Sequence, residues 1–528
     1  MSRAQPPLRP FARGDVRAPS ADQAVALDRR AIDEVGVSQP VLMENAGRSA
    51  AAVLERTFPQ GPVVGVVGSG NNGGDALVLL RTLGAWGREA QAVLVADRPA
   101  DDPLLHGWPV PTTTDAELDE KGWTSLLGGA AVVVDGVLGT GVKGAPRERQ
   151  AAAIRRINAC GRPVLAIDVP SGIDASTGAV PGEAVEADVT VAFGAPKLGT
   201  LLHPARARTG RLVAVEIAFP PWGAEESCAR VVTPSWAHAR LPRRGSDTHK
   251  KAVGSVLVVA GQPGMAGAAI LAGKAAFRAG AGLVRVCSAP ENRAAVHAAL
   301  AEAIFVDGSD AAALAAALAE SDAVAAGPGL GTGSTGGALL AAVVEGAHRP
   351  TVLDADALNI AAAGRLDLAG LAASRPVLVT PHPGEMGRLL EAGEPARPSE
   401  AAHPEARARA AAERFGCAVL LKGAPSVVAA PGEALLVDSQ STSDLAVAGM
   451  GDALTGVCAA LMAQGLGPRE AGAVGLFVTG RAARIAGRGA GLVPSDVIRW
   501  LPDALTERGD GMTDLDLPFV IFDADRAR

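Results

Sequence analysis

The sequence predicts an α/β protein of two domains, the first built on a doubly wound parallel sheet and the second on another α/β layer structure. Three observations carry this. Short runs of Val, Ile, Leu and Ala recur, and each delivers a turn of Gly, Asp or Asn into a helical pattern, as parallel strands joined by crossover helices do. At 528 residues the chain exceeds what one core of usual size holds. With 48% hydrophobic residues, no Tyr, 10 Phe and 6 Trp, the cores must be built from Ala, Val and Leu, which suits sheets buried on both faces.

Composition also excludes several classes. The net charge is −7, where polyanion binders show a basic excess or stripe, so no nucleic-acid partner is expected. The five cysteines are scattered and odd in number, which suggests neither a disulfide framework nor a zinc site. No apolar run reaches the ~18 residues of a membrane span, so no membrane partner is expected. Residues 1–20 lack the apolar core of a secretion signal and are expected to be a disordered leader on a cytoplasmic protein.

In the first half, helical spacing over 21–58 precedes the strand Gly61–Val67, which runs into Gly68-Ser69-Gly70-Asn71-Asn72-Gly73-Gly74-Asp75 before a helix expected from Ala76 to Leu83. Strand, Gly/Asn turn and helix make the geometry of a nucleotide-phosphate loop, although turn chemistry alone can also explain the asparagines. Strands follow at Ala90–Val95, Ala131–Val134, Val164–Ile167, Val189–Phe193 and Arg211–Ile217. Two of their ends are chemically loaded: Asp135 to Gly144, containing Gly139-Thr140-Gly141-Val142-Lys143, and Asp168-Val169-Pro170-Ser171. Carboxyl ends of parallel strands converge on one crevice, which makes Asn72, Asp75, Asp135, Asp168 and Ser171 expected neighbours. Their oxygens suit a hard cation and the glycines leave room for phosphate.

The segment 218–249 is rich in Pro, Arg, Ser and Trp without periodicity and reads as a linker, placed at 226–245. The second half then alternates strands and polar turns: Gly254–Ala260 with Gly261 to Ala268, Ala323–Ala326 with Gly327 to Gly333, Leu353-Asp354-Ala355-Asp356, Val377–Thr380 with Pro381-His382-Pro383, and Val419–Leu421 with Lys422-Gly423-Ala424-Pro425-Ser426. His382 between two prolines is held on a rigid segment and can stack on or hydrogen-bond a ligand ring. Lys422 can meet a phosphate as a point charge. Last comes Ala446 to Gly456, small residues ending in Gly449-Met450-Gly451-Asp452 and leading into an apolar helix. Backbone N–H groups at such a helix start bind anions, and Asp452 there is placed to act as a base toward a substrate hydroxyl.

Asn-Asn-Gly-Gly-Asp, Asp-x-x-x-Gly-Thr-Gly and Asp-Val-Pro-Ser-Gly-Ile resemble the YjeF N-terminal, or NAD(P)H-hydrate epimerase, family over roughly 20–225. That resemblance implies a Rossmann-like domain interconverting the R and S epimers of hydrated NADH and NADPH. It further implies K+ held by Asn72, Asp135 and Ser171, and hydrate contacts from Asn71, Asn72, Gly73, Gly74, Asp75, Gly139, Thr140, Gly141, Val142, Lys143, Gly144, Ala145 and Asp168. Asp168 is the proton-transfer candidate. Residues 240–505 resemble the ADP- or ATP-dependent NAD(P)H-hydrate dehydratases of ribokinase-like fold through Gly-x-Pro-Gly-Met-x-Gly-Ala, Gly-Pro-Gly-Leu-Gly, Leu-Asp-Ala-Asp-Ala-Leu-Asn, Thr-Pro-His-Pro-Gly-Glu, Leu-Lys-Gly-Ala and Gly-x-Gly-Asp. One departure is visible: Thr442 to Gly449 stands where many members carry Asn-Pro-Gly-Met-Ala-Thr-Gly-Gly. The resemblance implies ADP with Mg2+, a nucleotide held by Lys422, Gly423, Ala424, Pro425, Ser426 and Gly451, and a hydrate pocket of Ala268, Gly331, His382 and Asp452.

The expected organisation is therefore a leader (1–20), an epimerase domain (21–225), a linker (226–245), a dehydratase domain (246–505) and a tail (506–528). The expected partners are small molecules, NADHX, NADPHX and ADP, and the expected assembly is a homo-oligomer. The rivals are a vitamin-precursor kinase of the same fold fused to a nucleotide-binding module, and a non-catalytic scaffold.

Overall fold

The computed structural model describes residues 16–98, 102–222, 228–245, 247, 253–346, 348–391, 403–440, 442–506 and 520–522. The chain packs as two units, Met1–Ala229 with Gly511–Arg528, and Arg230–Asp510.

The strands of the first unit are β1 (Val16–Ala18), β2 (Val63–Val67), β3 (Ala90–Leu94), β4 (Thr112–Thr114), β5 (Val132–Gly136), β6 (Val164–Ile167), β7 (Val189–Phe193) and β8 (Arg211–Val215). Its parallel sheet runs β4-β3-β2-β5-β6-β7-β8. The segment Val520–Phe522 adds an antiparallel strand beside β8. Strand order reverses between β2 and β5, which opens a crevice at their carboxyl ends. β2 is apolar without alternation and every residue in it is buried, as a strand covered on both faces must be. Gly65 interrupts its valines because a Cβ there would lie 2.7 Å from Leu80 Cδ1. The missing side chain lets the helix Asn71–Ala85 lie close on the strand.

The second unit contributes β9 (Ala229–Val232), β10 (Ser255–Val259), β11 (Leu283–Ser288), β12 (Ile304–Asp307), β13 (Ala323–Ala326), β14 (Thr351–Leu353), β15 (Val377–Val379), β16 (Ala418–Leu421), β17 (Val427–Ala429) and β18 (Leu436–Asp438). They run in the order β9-β18-β17-β16-β15-β14-β13-β10-β11-β12. Strands β10 to β16 pair in parallel, and β17 is antiparallel to both of its neighbours. Order reverses between β10 and β13, giving this unit its own switch point. Its core sets the helices Ala266–Arg278, Met450–Ala463 and Pro468–Ala486 around Trp236 and Phe477, each 1% exposed. Removing an aromatic of that burial costs about 3–5 kcal/mol.

The two-part α/β class is what the sequence predicts, while several local expectations are corrected. The helix of the first Gly/Asn turn begins at Asn71, not Ala76: glycines 73 and 74 are helical because their lack of side chains permits close packing rather than a turn. Of the expected leader, residues 1–15 lie outside the described residues, but Val16–Ala18 is a strand and Ser20 caps the helix Ala21–Arg29 by accepting from Gln23 N. The expected linker 226–245 contains β9 and the helix Pro234–His238; elements of four and five residues are too short to show a period. The expected tail falls outside the described residues except for the end of the last helix and Val520–Phe522. Among the described residues no helix is long and apolar enough to cross a membrane.

Candidate active sites

The crevice of the first unit holds a cavity of about 550 Å³. Asn71 and Asn72 reach it from the first turn of the helix after β2, Gly139 to Val142 from the loop after β5, and Asp168 from the end of β6. Asp168 has φ +62°, a left-handed conformation in which a non-glycine residue is strained, and such strain collects at functional sites. Its position is fixed from β7: Phe193 N donates to Asp168 Oδ1 at 3.1 Å, and Lys197 Nζ donates to the same carboxylate oxygen and, at 3.0 Å, to Phe193 O. Lys197 is 4% exposed and Asp168 9%, so the pair is screened little by water. Asp75 joins this cluster. Burial first, then the charges of Asp168 and Asp28, raise its carboxyl well above the ordinary carboxylate range, and burial also raises Asp28. A carboxyl raised by burial and like charge thus faces the carboxylate that Lys197 clamps.

Beneath the cavity floor lies a second polar group. Asp135 is fully buried on β5; Ser171 donates to it through both N (2.8 Å) and Oγ (2.6 Å), and Val137 N approaches at 3.2 Å. Burial nonetheless pushes Asp135 up to about 6 against those hydrogen bonds. Asn72 donates Nδ2 to Leu138 O at 2.9 Å, which leaves its Oδ1 buried without a partner. An orphaned carbonyl oxygen beside a buried carboxylate and a hydroxyl is the donor set of a hard cation.

In the second unit the polar ends of β14 and β16 meet the start of the helix Met450–Ala463. Asp354, 1% exposed, accepts from Lys422 Nζ at 2.6 Å, Thr455 Oγ1 at 2.7 Å and Ala355 N at 2.9 Å. Ala355 has φ +48°, so the chain kinks between Asp354 and Asp356, and Asp356 Oδ2 accepts from Gly331 N at 2.8 Å. Gly449 begins the helix at φ +84° with no side-chain cap, leaving the first-turn amides available to an anion. A Cβ on Gly451 would lie 3.0 Å from Lys422 Nζ, which places the ammonium at the helix mouth. Asp452 sits there too: burial, then the charge of Asp354, push its carboxyl up to about 6.

A cavity of about 490 Å³ opens at this mouth, lined by Lys422, Gly423, Ala424, Ser426 and Gly451 among its polar and small residues and by Leu445, Val447, Leu454 and Leu476 as an apolar wall. Pro425 is outside that lining. So are Ala268, Gly331, His382 and Asp452; Gly331 joins Asp452 through Asp356 instead. His382 accepts at Nδ1 from Gly384 N and Glu385 N, at 3.0 and 3.3 Å, capping the helix Pro383–Glu391, and its Nε2 lies 3.4 Å from Glu385 Oε1.

In the first unit the expected residues Gly73, Gly74, Lys143, Gly144 and Ala145 do not line the cavity. A Cβ would meet Gly68 O at 2.0 Å from position 73 and Met43 Cε at 2.6 Å from position 74, so these glycines serve packing. Lys143 is 80% exposed and pairs with Asp22 at 3.7 Å. The residues that the sequence reading passed over are Lys197, Asp28 and Thr455. Lys197 carried a usable signal, a rare lysine just after a strand end; Asp28 and Thr455 sit inside ordinary helical patterns and carried none.

A doubly wound unit whose crevice holds a buried carboxylate–ammonium pair, and a second α/β unit whose helix mouth sets a carboxylate beside a lysine, are the architecture of a two-site enzyme. Residues 39–199 match the family model described as YjeF-related protein N-terminus, and residues 256–502 the one described as NAD(P)H-hydrate dehydratase. The bifunctional NAD(P)H-hydrate repair enzyme of Salinibacter ruber is 38% identical, with 92% of this chain and 96% of that one covered. Its counterpart in Escherichia coli K12 is 35% identical, with 88% of each covered. A solved structure, an ADP/ATP-dependent NAD(P)H-hydrate dehydratase from Bacillus subtilis co-crystallised with ATP and Mg2+, is similar at 27% identity with a TM-score of 0.46, covering 52% of this chain and 98% of that one. The chain belongs to the family of bifunctional NAD(P)H-hydrate repair enzymes.

Proposed function

We propose that the two units restore damaged nicotinamide cofactors in succession, the first epimerising R and S hydrates of NADH and NADPH, the second dehydrating the S form with ADP. Family membership favours this over a vitamin-precursor kinase and over a scaffold. The observation that carries it is a charged acid–base group in each unit, set at the carboxyl ends of parallel strands beside an anion site.

In the first unit Asp168 takes the proton from the C6 hydroxyl as the C6–N1 bond breaks to leave an aldehyde, and Asp75 protonates the departing nitrogen; attack of that nitrogen on the other face of the carbonyl, with both protons returned, closes the ring as the other epimer. Asn71 and the loop 139–142 hold the dinucleotide's phosphates. The orphaned Asn72 Oδ1, Asp135 and Ser171 fit K+, which would supply positive charge beside the ligand's phosphates. In the second unit the amides of the Gly449–Gly451 turn and Lys422 grip the terminal phosphoryl group of ADP. Asp452 removes the proton from the S hydrate's hydroxyl, whose oxygen accepts the phosphoryl group as AMP departs. Loss of that phosphate and of a C5 proton then re-forms the C5–C6 double bond. Mg2+ would come with the nucleotide's phosphates and offset their charge, while Asp354 and Asp356 are the carboxylates whose charges act on Asp452. A cytoplasmic homo-oligomer is the assembly we propose.

The test is recovery of reduced-nicotinamide absorbance from mixed R and S hydrates with ADP. Full recovery, faster than spontaneous epimerisation allows, is expected; recovery of the S portion alone refutes the epimerase half, and no recovery refutes both.

A further inference from the structure

The chain has few aromatic residues, yet Phe193, Phe219 and Trp222 all line the first unit's cavity. The segment that carries two of them is fixed in place. Ala218 has φ +77°, a strained conformation for a residue with a Cβ. Phe219 lies directly over Gly194, where a Cβ would come within 2.2 Å of Phe219 Cδ2; Gly194 itself has φ +70°. Asn45 Nδ2 donates to Ile217 O at 3.3 Å, Arg30 donates to Pro221 O, and the Arg17 guanidinium stands 5.7 Å from the Trp222 ring centroid. A glycine kept bare for a phenyl ring, and a kinked alanine before that ring, are features of a built wall rather than of a loose loop.

Strand order says which part of the ligand that wall meets. The phosphate-binding turns follow β2 and β5 at the switch point. Asp168 follows β6, Phe193 ends β7 and Lys197 follows it, and Phe219 and Trp222 follow β8. Asp168 therefore stands between the phosphate turns and the aromatic wall. A dinucleotide whose phosphates lie at the switch point and whose C6 hydroxyl meets Asp168 must extend its hydrated nicotinamide ring toward β8, and its adenine the other way.

We infer that Phe219 and Trp222 form a stacking subsite for the hydrated nicotinamide ring, setting its face against Asp168 and excluding water from the reacting carbon. The ring keeps a flat conjugated enamine-carboxamide portion, which an indole or phenyl face accepts. This inference rests on the epimerase reading and adds the ring's binding partner to it.

The experiment compares the full-length parent, Trp222→Ala and Trp222→Phe as epimerases on the R hydrates of NADH and of reduced nicotinamide mononucleotide, which has no adenine. Trp222→Ala should lower kcat/KM about tenfold on both substrates, Trp222→Phe should recover most of that loss, and ADP-dependent dehydration of the S hydrate by the same preparations should be unchanged. Loss on the dinucleotide alone would assign the wall to adenine and overturn the inference, as would unchanged kinetics on both. A parent enzyme that epimerises neither hydrate overturns the epimerase reading, and the inference with it.

Discussion

Lys197 and Asp168 form a buried ion pair in which the ammonium also bonds the strand-end carbonyl of Phe193. The pair does two things at once: it holds a carboxylate in a left-handed backbone position, and its ammonium opposes the rise that burial and the Asp168 charge impose on the Asp75 and Asp28 carboxyls. Replacing Lys197 by Met removes the cation and leaves three carboxyl groups facing one cavity. Epimerase kcat/KM is expected to fall about 100-fold, with a stability loss of about 3 kcal/mol in the first unit. Dehydration of pure S hydrate should be unaffected. An epimerase within a factor of three of the parent would show that Asp168 needs no such clamp.

Asp452 lies up at about 6 through burial and the neighbouring Asp354 charge. A base works only when deprotonated, so the dehydratase should lose activity as pH falls through about 6, approaching tenfold per unit, and stay level above it. Asp452→Asn should lower kcat at least 100-fold at pH 7.5 and abolish that acid limb. A parent profile flat from pH 5 to 8 would mean that another group takes the proton.

The sheets were legible because parallel strands buried on both faces must be apolar throughout, as Val63–Val67 and Val164–Ile167 are. The strand-end acids were legible for the same reason: a polar residue ending such a run marks the crevice. What stayed hidden had either too little length or too ordinary a pattern. The antiparallel β17 and β18 have three residues each, below any detectable period, and Ile304–Asp307 opens with an exposed isoleucine. Asp28 sits on an amphipathic helix where an acid reads as solvent-facing. Gly73 and Gly74 read as phosphate-loop residues, whereas the structure uses their missing side chains for contacts with Gly68 and Met43.

The buried, unpartnered Oδ1 of Asn72 predicts that the first unit is stabilised by K+. In 100 mM KCl its thermal midpoint should exceed that in choline chloride of equal ionic strength by about 2–4 °C, the size of roughly 1 kcal/mol of linked binding. Asn72→Ala removes the donor oxygen and should erase the difference. Equal midpoints for the parent in both salts would refute a cation under this loop.

The helix that presents Asp452 is set by a backbone contact that lies outside the cavity lining. Gly456, on the same helix one turn further in, would place a Cβ 2.1 Å from the backbone carbonyl of Ala272 on the helix Ala266–Arg278. A backbone atom cannot turn aside as a side chain can, so Gly456→Ala must push the two helices apart, at a cost of about 1–3 kcal/mol. Because the separation tilts the helix mouth, kcat of dehydration should fall with it, while KM for ADP rises through the displaced Gly451 and Lys422. Chemical denaturation of the second unit and steady-state kinetics measure both. A variant as stable and as fast as the parent would show that the two helices are not held at this distance.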